Sequence, residues 1–248
     1  MMHSPSVSQL FAGAPLSGQV ALVTGGSRGI GLAIARQLAQ LGAAIGICGR
    51  RRAALDTAAK TLGESGARVF AAVADVSRAA DAEGFVSQAE SALGPADILV
   101  NNAGIGRFGT AHEFSEADWD SILDTNLKGV FLVSRAVVPS MIRRRTGHIV
   151  NISSLAGKNT FAGGGVYCAS KWGLQGLSGC MAEDLRQYGI RVSVVCPGSV
   201  ATEFSSPGAK NVSKMLQPED VAHAVAMLVT QAPQSFISEV LIRPTQKP

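Results

Sequence analysis

Charge is scarce in this chain: Asp, Glu, Lys and Arg make up 16% of its 248 residues, against 46% hydrophobic side chains. That balance argues against a disordered chain and predicts a sizeable buried core. Cysteine is sparse and scattered, since Cys48, Cys168, Cys180 and Cys196 form no C-x-x-C pair. Reduced thiols in a cytoplasmic protein are therefore expected, rather than a disulfide framework. The four histidines, His3, His112, His148 and His223, show no ligand spacing, and no metal site is expected. No apolar run approaches the roughly 18–20 residues that cross a bilayer, and residues 1–16 lack the basic start and apolar stretch of a signal peptide. A soluble protein with no membrane partner is expected. Cations exceed acids by only +4 and form no long tract, so no nucleic-acid partner is expected. The two densest basic runs are Arg50–Arg52 and Arg143–Arg145. The second falls where a long helix should end, and cations there complement the helix dipole.

Glycine, by contrast, is plentiful, with 28 residues placed mainly where strands would hand over to helices. After the polar leader of residues 1–17, expected to be flexible, apolar strand-like runs fall at 19–24, 43–48, 68–73, 97–101, 148–153, 191–196 and 236–242. Helix-length patterns lie between them, near 29–41, 51–63, 79–92, 117–145, 165–187 and 218–230. Such alternation calls for right-handed β-α-β crossovers and predicts an α/β fold. It reads as one doubly wound Rossmann domain over 18–248, with a seven-stranded parallel sheet flanked by helices. The strands lack strict polar alternation, as burial on both faces requires.

The first strand runs into TGGSRGIG, Thr24 to Gly31, and then into a helix. Glycine at 25, 29 and 31 permits a tight turn and lets backbone N–H groups approach a pyrophosphate at the helix N-terminus. Gly25, Ser27, Arg28, Gly29, Ile30 and Gly31 are thus candidate cofactor contacts. Strand-to-helix turns use glycine anyway, so this loop alone is a weak signal. An NAD site offers an acid to the ribose at the end of the second strand; here that position reads Cys48-Gly49-Arg50-Arg51. Arg50 and Arg51, with Arg28 facing them, suit the 2′-phosphate of NADP(H). Cations at a helix start oppose its dipole unless an anion sits there. Further strand ends supply Asp75-Val76 for the adenine, Asn102-Ala103-Gly104 against the cofactor, and Pro197-Gly198 with Val200 and Thr202 near the nicotinamide.

Only two tyrosines are present, and only Tyr167 has a lysine four residues on, Lys171. On a helix that spacing sets both on one face. A neighbouring ammonium favours phenolate, lowering a pKa that is otherwise about 10. Ser154 ends the fifth strand, and its hydroxyl can stabilise charge growing on a substrate oxygen; alternation along the strand turns Ser153 the other way. Asn126, in DTNLKG, is a polar group among apolar neighbours, where a satisfied core amide is the plain alternative. Around the substrate, Ile105, Arg107, Phe108, Leu155, Phe161, Val200 and Phe204 are candidates, Arg107 being more readily a solvated loop cation.

TGGSRGIG, NNAG, NLKG, the spacing of Ser154, Tyr167 and Lys171, and the PG after strand six together resemble the short-chain dehydrogenase/reductase family over about residues 18–243. The pattern is similar to 3-oxoacyl-carrier-protein reductases and related ketoreductases. The resemblance implies a catalytic tetrad of Asn126, Ser154, Tyr167 and Lys171. In it Ser154 orients a carbonyl, Tyr167 serves as acid or base, and Asn126 holds a water in a relay through Lys171, which with Tyr167 also contacts the cofactor. It further implies hydride exchange between NADP(H) and a small carbonyl or alcohol substrate. It also implies a homodimer or homotetramer formed through the helices at 117–145 and 165–187. Two stretches depart from the family pattern: the ending SEVLIRPTQKP, where many 3-oxoacyl reductases carry glycine, and the short stretch between Pro197 and the last helix. A non-catalytic NADP(H)-binding regulator of the same fold would need the glycine loop but not the tetrad.

Overall fold

The computed structural model describes residues 13–204 and 211–247. Seven strands alternate with helices: β1 Val20–Thr24, α1 Gly29–Gln40, β2 Ala44–Gly49, α2 Arg52–Gly63, β3 Val69–Val73, α3 Ala79–Leu93 and β4 Ile98–Asn101. After a loop come α4 Glu116–Leu123, a π-helical turn Asp124–Lys128, α5 Gly129–Arg144, β5 Gly147–Ile152, α6 Gly165–Arg186, β6 Ile190–Pro197, α7 Pro218–Val229 and β7 Glu239–Ile242. All pairings are parallel, in the order β3-β2-β1-β4-β5-β6-β7. The seven-stranded, doubly wound parallel sheet expected from the sequence is therefore present.

The two-residue period of a strand builds two cores. Ala21, Val23, Ile45, Ile47, Ile98 and Val100 face α1, α2 and α7. Their neighbours Val20, Leu22, Cys48 and Leu99 face α3, α5 and the end of α6. Each central strand is buried on both sides, which is why its sequence reads as a nearly continuous apolar run. No described helix is long and apolar enough to cross a membrane.

Two expectations are corrected here and a third is extended. Residues 1–12 of the leader lie outside the described residues, but the packed structure begins before 18. Leu16 is fully buried, and its N–H donates to the Leu41 carbonyl at 2.9 Å. Apolar surface at Leu16 outweighs the turn-forming neighbours that suggested a free leader. The stretch expected as one helix over 117–145 is two α-helices joined by a π-helical turn that carries Asn126. Arg144 does more than complement a dipole. It pairs with Asp97 at 2.6 Å, and Asp97 in turn accepts from the Val20 N–H at 2.9 Å, tying α5 to the starts of β4 and β1.

Candidate active site

The carboxyl ends of the strands open on one cleft of about 1130 Å³. In a doubly wound sheet the crevice lies where strand order reverses, here between β1 and β4. Thr24 and Asn102 latch that point. The Thr24 hydroxyl oxygen accepts from the N–H groups of Asn102 and Ala103, both at 3.0 Å, and the Asn102 amide donates to the carbonyls of Thr24 (3.0 Å) and Gly25 (3.3 Å). A Cβ on Gly31 would lie 2.3 Å from the Gly25 carbonyl oxygen and 2.4 Å from Asn102 Nδ2, so only glycine lets the loop close. Asn101 serves the opposite face, its amide donating to Ser134 (3.0 Å) and Asn151 (2.9 Å) in the buried core.

At one end of the cleft stand the uncapped starts of α1 and α2. Neither N-cap residue, Arg28 or Arg51, makes a side-chain cap, and neither first turn contains an acid. Their orphan N–H groups and the guanidinium groups of Arg28, Arg50 and Arg51 make this end a set of anion donors. Asp75 lines it too. Burial works against its charge, but the Ser77 hydroxyl (2.7 Å) and N–H (3.1 Å), with Arg50 and Arg78 nearby, hold its carboxyl below the ordinary value. Arg28 is not free: it is ion-paired with Glu203, and both side chains are largely exposed.

At the other end lie Ser154, Tyr167 and Lys171. Ser154 is fixed by accepting from the Ala156 N–H at 3.1 Å and is hydrogen-bonded to Tyr167. Ser153 points away, accepting from Gln175 at 3.0 Å, as strand alternation requires. Lys171 is buried, donates to the Ile152 carbonyl at 3.0 Å, and its Nζ sits 5.8 Å from the centre of the Tyr167 ring. Burial pushes Lys171 down to about 8 and Tyr167 up to about 12, the Ser154 bond pulling the latter only partly back. The phenolate tuning expected from the sequence is thus reversed in the free protein, because desolvation of a buried phenol outweighs its neighbours.

Every candidate cofactor residue read from the sequence lines this cleft, from Gly25, Ser27, Gly29, Ile30 and Gly31 through Val76, Ala103 and Gly104 to Pro197, Gly198, Val200 and Thr202. Asn126 does not. It is fully buried beneath the cleft, where its Oδ1 accepts from the Ile105 N–H (2.8 Å) and its Nδ2 donates to the Ile105 carbonyl (2.9 Å) and to Ser170 (3.1 Å). Arg107 is drawn out of the cleft by an ion pair with Asp118, the solvated loop cation the sequence favoured. Sequence reasoning missed Glu203, Ser170 and the C-terminal segment, whose Arg243 to Lys247 also line the cleft. No local pattern marks them: Glu203 and Ser170 adjoin candidate residues, but their partners, Arg28 and Asn126, lie far along the chain.

A glycine turn at a topological switch point, flanked by uncapped helices, defines a dinucleotide-binding oxidoreductase fold. Residues 19–213 match the family model for short chain dehydrogenases, and the chain belongs to the short-chain dehydrogenase/reductase family. It is 46% identical, with a TM-score of 0.83, to a metagenomic short-chain oxidoreductase solved in complex with NADP, covering 94% of this chain and 100% of that one. It is 38% identical to the ketoacyl reductase HetN of Nostoc sp., over 86% of this chain and 76% of that protein. It is also 37% identical to the glycine betaine reductase ATRR of Emericella nidulans, over 94% of this chain but only 19% of that much longer protein. Members of this family act on small molecules with a nicotinamide cofactor, and the residues here fit that group. Open glycine turns and uncapped helix starts suit a pyrophosphate, and the arginines suit a further phosphate.

Proposed function

We propose that the chain is an NADP(H)-dependent ketoreductase-type enzyme that interconverts a ketone or aldehyde with an alcohol. One observation carries this reading: Ser154, Tyr167 and Lys171 meet on the same cleft as the glycine loop and the Arg28–Arg50–Arg51 set. Bound there, the nicotinamide supplies or accepts the hydride. Gly25 to Gly31 hold the pyrophosphate, Asp75 and Val76 the adenine, and Arg50 and Arg51 the 2′-phosphate. Ser154 spends a lone pair on Ala156, and its one hydroxyl hydrogen, directed at Tyr167 in the free protein, turns to the substrate oxygen when a carbonyl enters. Tyr167, raised to about 12, is a protonated phenol at neutral pH, the form needed to donate a proton as a carbonyl is reduced. Lys171 keeps donors beyond the one given to Ile152 and orients the cofactor ribose beside the phenol. The Asn126 amide is committed to Ile105 and Ser170, so its part is to position the loop and the π-helical turn, with one Oδ1 lone pair left for a relay water. The four free thiols suit the reducing cytoplasm expected from the sequence.

The test is NADPH oxidation over a panel of carbonyls. Tyr167→Phe is expected to lower turnover by roughly 10²–10⁴-fold while NADPH binding persists; near-normal turnover removes Tyr167 from the mechanism. A wild-type chain that binds NADPH but reduces no carbonyl would favour a non-catalytic regulator. In the oxidation direction the phenolate is the base, so the rate should climb with pH. An oxidised, positively charged nicotinamide ring beside the phenol would lower its pKa into the range where Lys171 is charged, below about pH 8, so Lys171→Ala should move the acidic limb of that profile upward. An unchanged profile would remove the electrostatic role.

A further inference from the structure

The substrate end of the cleft is built from aromatic rings that the catalytic reading does not use. Phe108, Phe161 and Phe204 come from three separate loops, after β4, β5 and β6. Phe108 stands edge-on to the Tyr167 ring at 5.6 Å and 72°, and Phe204 lies 5.9 Å from it on a tilt of 51°. Phe161 lies 5.9 Å from Phe108. Tyr167 itself is only 8% exposed, yet Phe108, Phe161 and Phe204 remain 48%, 49% and 44% exposed. Converging apolar surface left open to water beside a reacting group marks a ligand site.

The placement of the rings is built into the backbone. A Cβ on Gly106 would lie 2.5 Å from Phe204 Cζ, and one on Gly164 would lie 2.5 Å from Phe161 Cζ, so both rings press against bare glycine. The loops carrying Phe108 and Phe161 are stitched together, the Gly109 N–H donating to the Gly163 carbonyl at 2.9 Å. Charge is kept away from the rings. Arg107 is paired with Asp118 outside the cleft, and Glu203 beside Phe204 is paired with Arg28. Ring faces can also attract a quaternary ammonium. The remaining charges on this cleft disfavour one, since the C-terminal segment adds Arg243 and Lys247 rather than acids.

We propose that Phe108, Phe161 and Phe204 form an aromatic enclosure over Tyr167 that selects carbonyl substrates bearing an aryl group. This rests on the reading that Tyr167 protonates a carbonyl oxygen in this cleft. Each ring presents a face or edge to the aryl group, and offset or edge-to-face geometry favours an aromatic guest over an equally small polar one. The enclosure acts on specificity through kcat/KM, by stacking that holds the carbonyl at Ser154 and Tyr167.

The experiment compares kcat/KM of the full chain with NADPH for benzaldehyde, acetaldehyde and betaine aldehyde, in the wild type and in Phe108→Ala, Phe161→Ala and Phe204→Ala. NADPH affinity and melting temperature monitor folding, and Phe→Leu at each position replaces any alanine variant that does not fold. Benzaldehyde is expected to exceed both other aldehydes by roughly 10-fold or more, and each variant to cut the benzaldehyde-to-acetaldehyde ratio by roughly 3- to 10-fold. A wild-type preference for acetaldehyde or betaine aldehyde, or a ratio untouched by all three variants, overturns the enclosure while leaving carbonyl reduction standing. Bound NADPH with no turnover of any aldehyde sinks carbonyl reduction itself, and the enclosure with it.

Discussion

Arg50 and Arg28 looked equivalent as residues for a 2′-phosphate, and the structure separates them. Arg50 is near enough to Asp75 to help hold its carboxylate ionised, and it lines the cleft with no ion pair among the described residues. Arg28 already has Glu203 as a partner. Charge-assisted contacts are worth about 1.5–3 kcal/mol each, so Arg50→Ala should weaken NADPH roughly 10- to 100-fold and barely affect NADH. Arg28→Ala should cost less, because Arg28 must leave Glu203 before it can meet the phosphate. Gly49→Asp should bring the two dissociation constants together or invert them, by adding an acceptor for ribose hydroxyls and a charge that repels phosphate. Its Cβ would be tight against the Ser27 hydroxyl at 3.3 Å, which can rotate away, and in ordinary contact with Leu55 at 3.7 Å. Titrations of both cofactors decide the matter; parallel weakening of NADPH and NADH on Arg50→Ala would make these arginines no more than a solvated helix start.

Among the elements, the helices over 116–144 and 165–186 carry more than the site. Their inner faces build the core, but Trp119, Phe131 and Trp172 on their outer faces are about half exposed, and a shallow apolar groove runs between them along Leu127, Phe131, Gly173 and Leu177. Gly176 and Gly179 on α6 have nothing within 4 Å of where a Cβ would stand, which leaves a flat surface for close helix packing. These features support the homodimer or homotetramer that the family resemblance implies. Sedimentation at micromolar concentration should show a dimer or tetramer, and Phe131→Glu should shift it toward monomer by placing a charge at the core of the contact. A wild-type monomer would overturn this assembly. The π-helical turn was not legible beforehand. A one-residue widening of a helix leaves no periodic trace in DTNLKG, and only the contact between Asn126 and the distant Ile105 gives it a purpose.

On the scale of the whole molecule, the amino-end edge of the sheet bears on stability rather than chemistry. His148 at the start of β5 is buried, and its Nε2 meets the Ser193 hydroxyl at 2.8 Å. Ser193 gives its hydrogen to the Ile237 carbonyl at 2.7 Å, so Nε2 carries a proton and donates it to Ser193. Burial first, and Arg191 second, push the His148 pKa down from 6.5 to about 3. Between those values the unfolded chain binds a proton that the folded chain refuses. Stability is therefore fully present above about pH 6.5 and falls as the pH drops toward 3, by about 1.4 kcal/mol per unit. Denaturation between pH 7 and 4 should show this slope, and His148→Gln should flatten it by about one proton. An equal slope in both proteins would remove His148 as the cause.

The layer order, the parallel sheet and the candidate residues on the strand ends were legible because each rests on local chemistry. A period of two or 3.6, a glycine where only glycine turns, and a lysine one helical turn after a tyrosine all lie within a few residues of one another. What the tertiary structure decided depends on contacts between distant residues. It buried Asn126 and closed its amide on Ile105, paired Arg28 with Glu203, and brought Phe108, Phe161 and Phe204 together from three loops. It also set the protonation of Tyr167. The sequence shows that Lys171 is near enough to favour phenolate, but how deeply the phenol is buried, and so which influence prevails, is a property of the packed chain. Desolvation depends on every atom that excludes water from a site, and no local pattern records that sum.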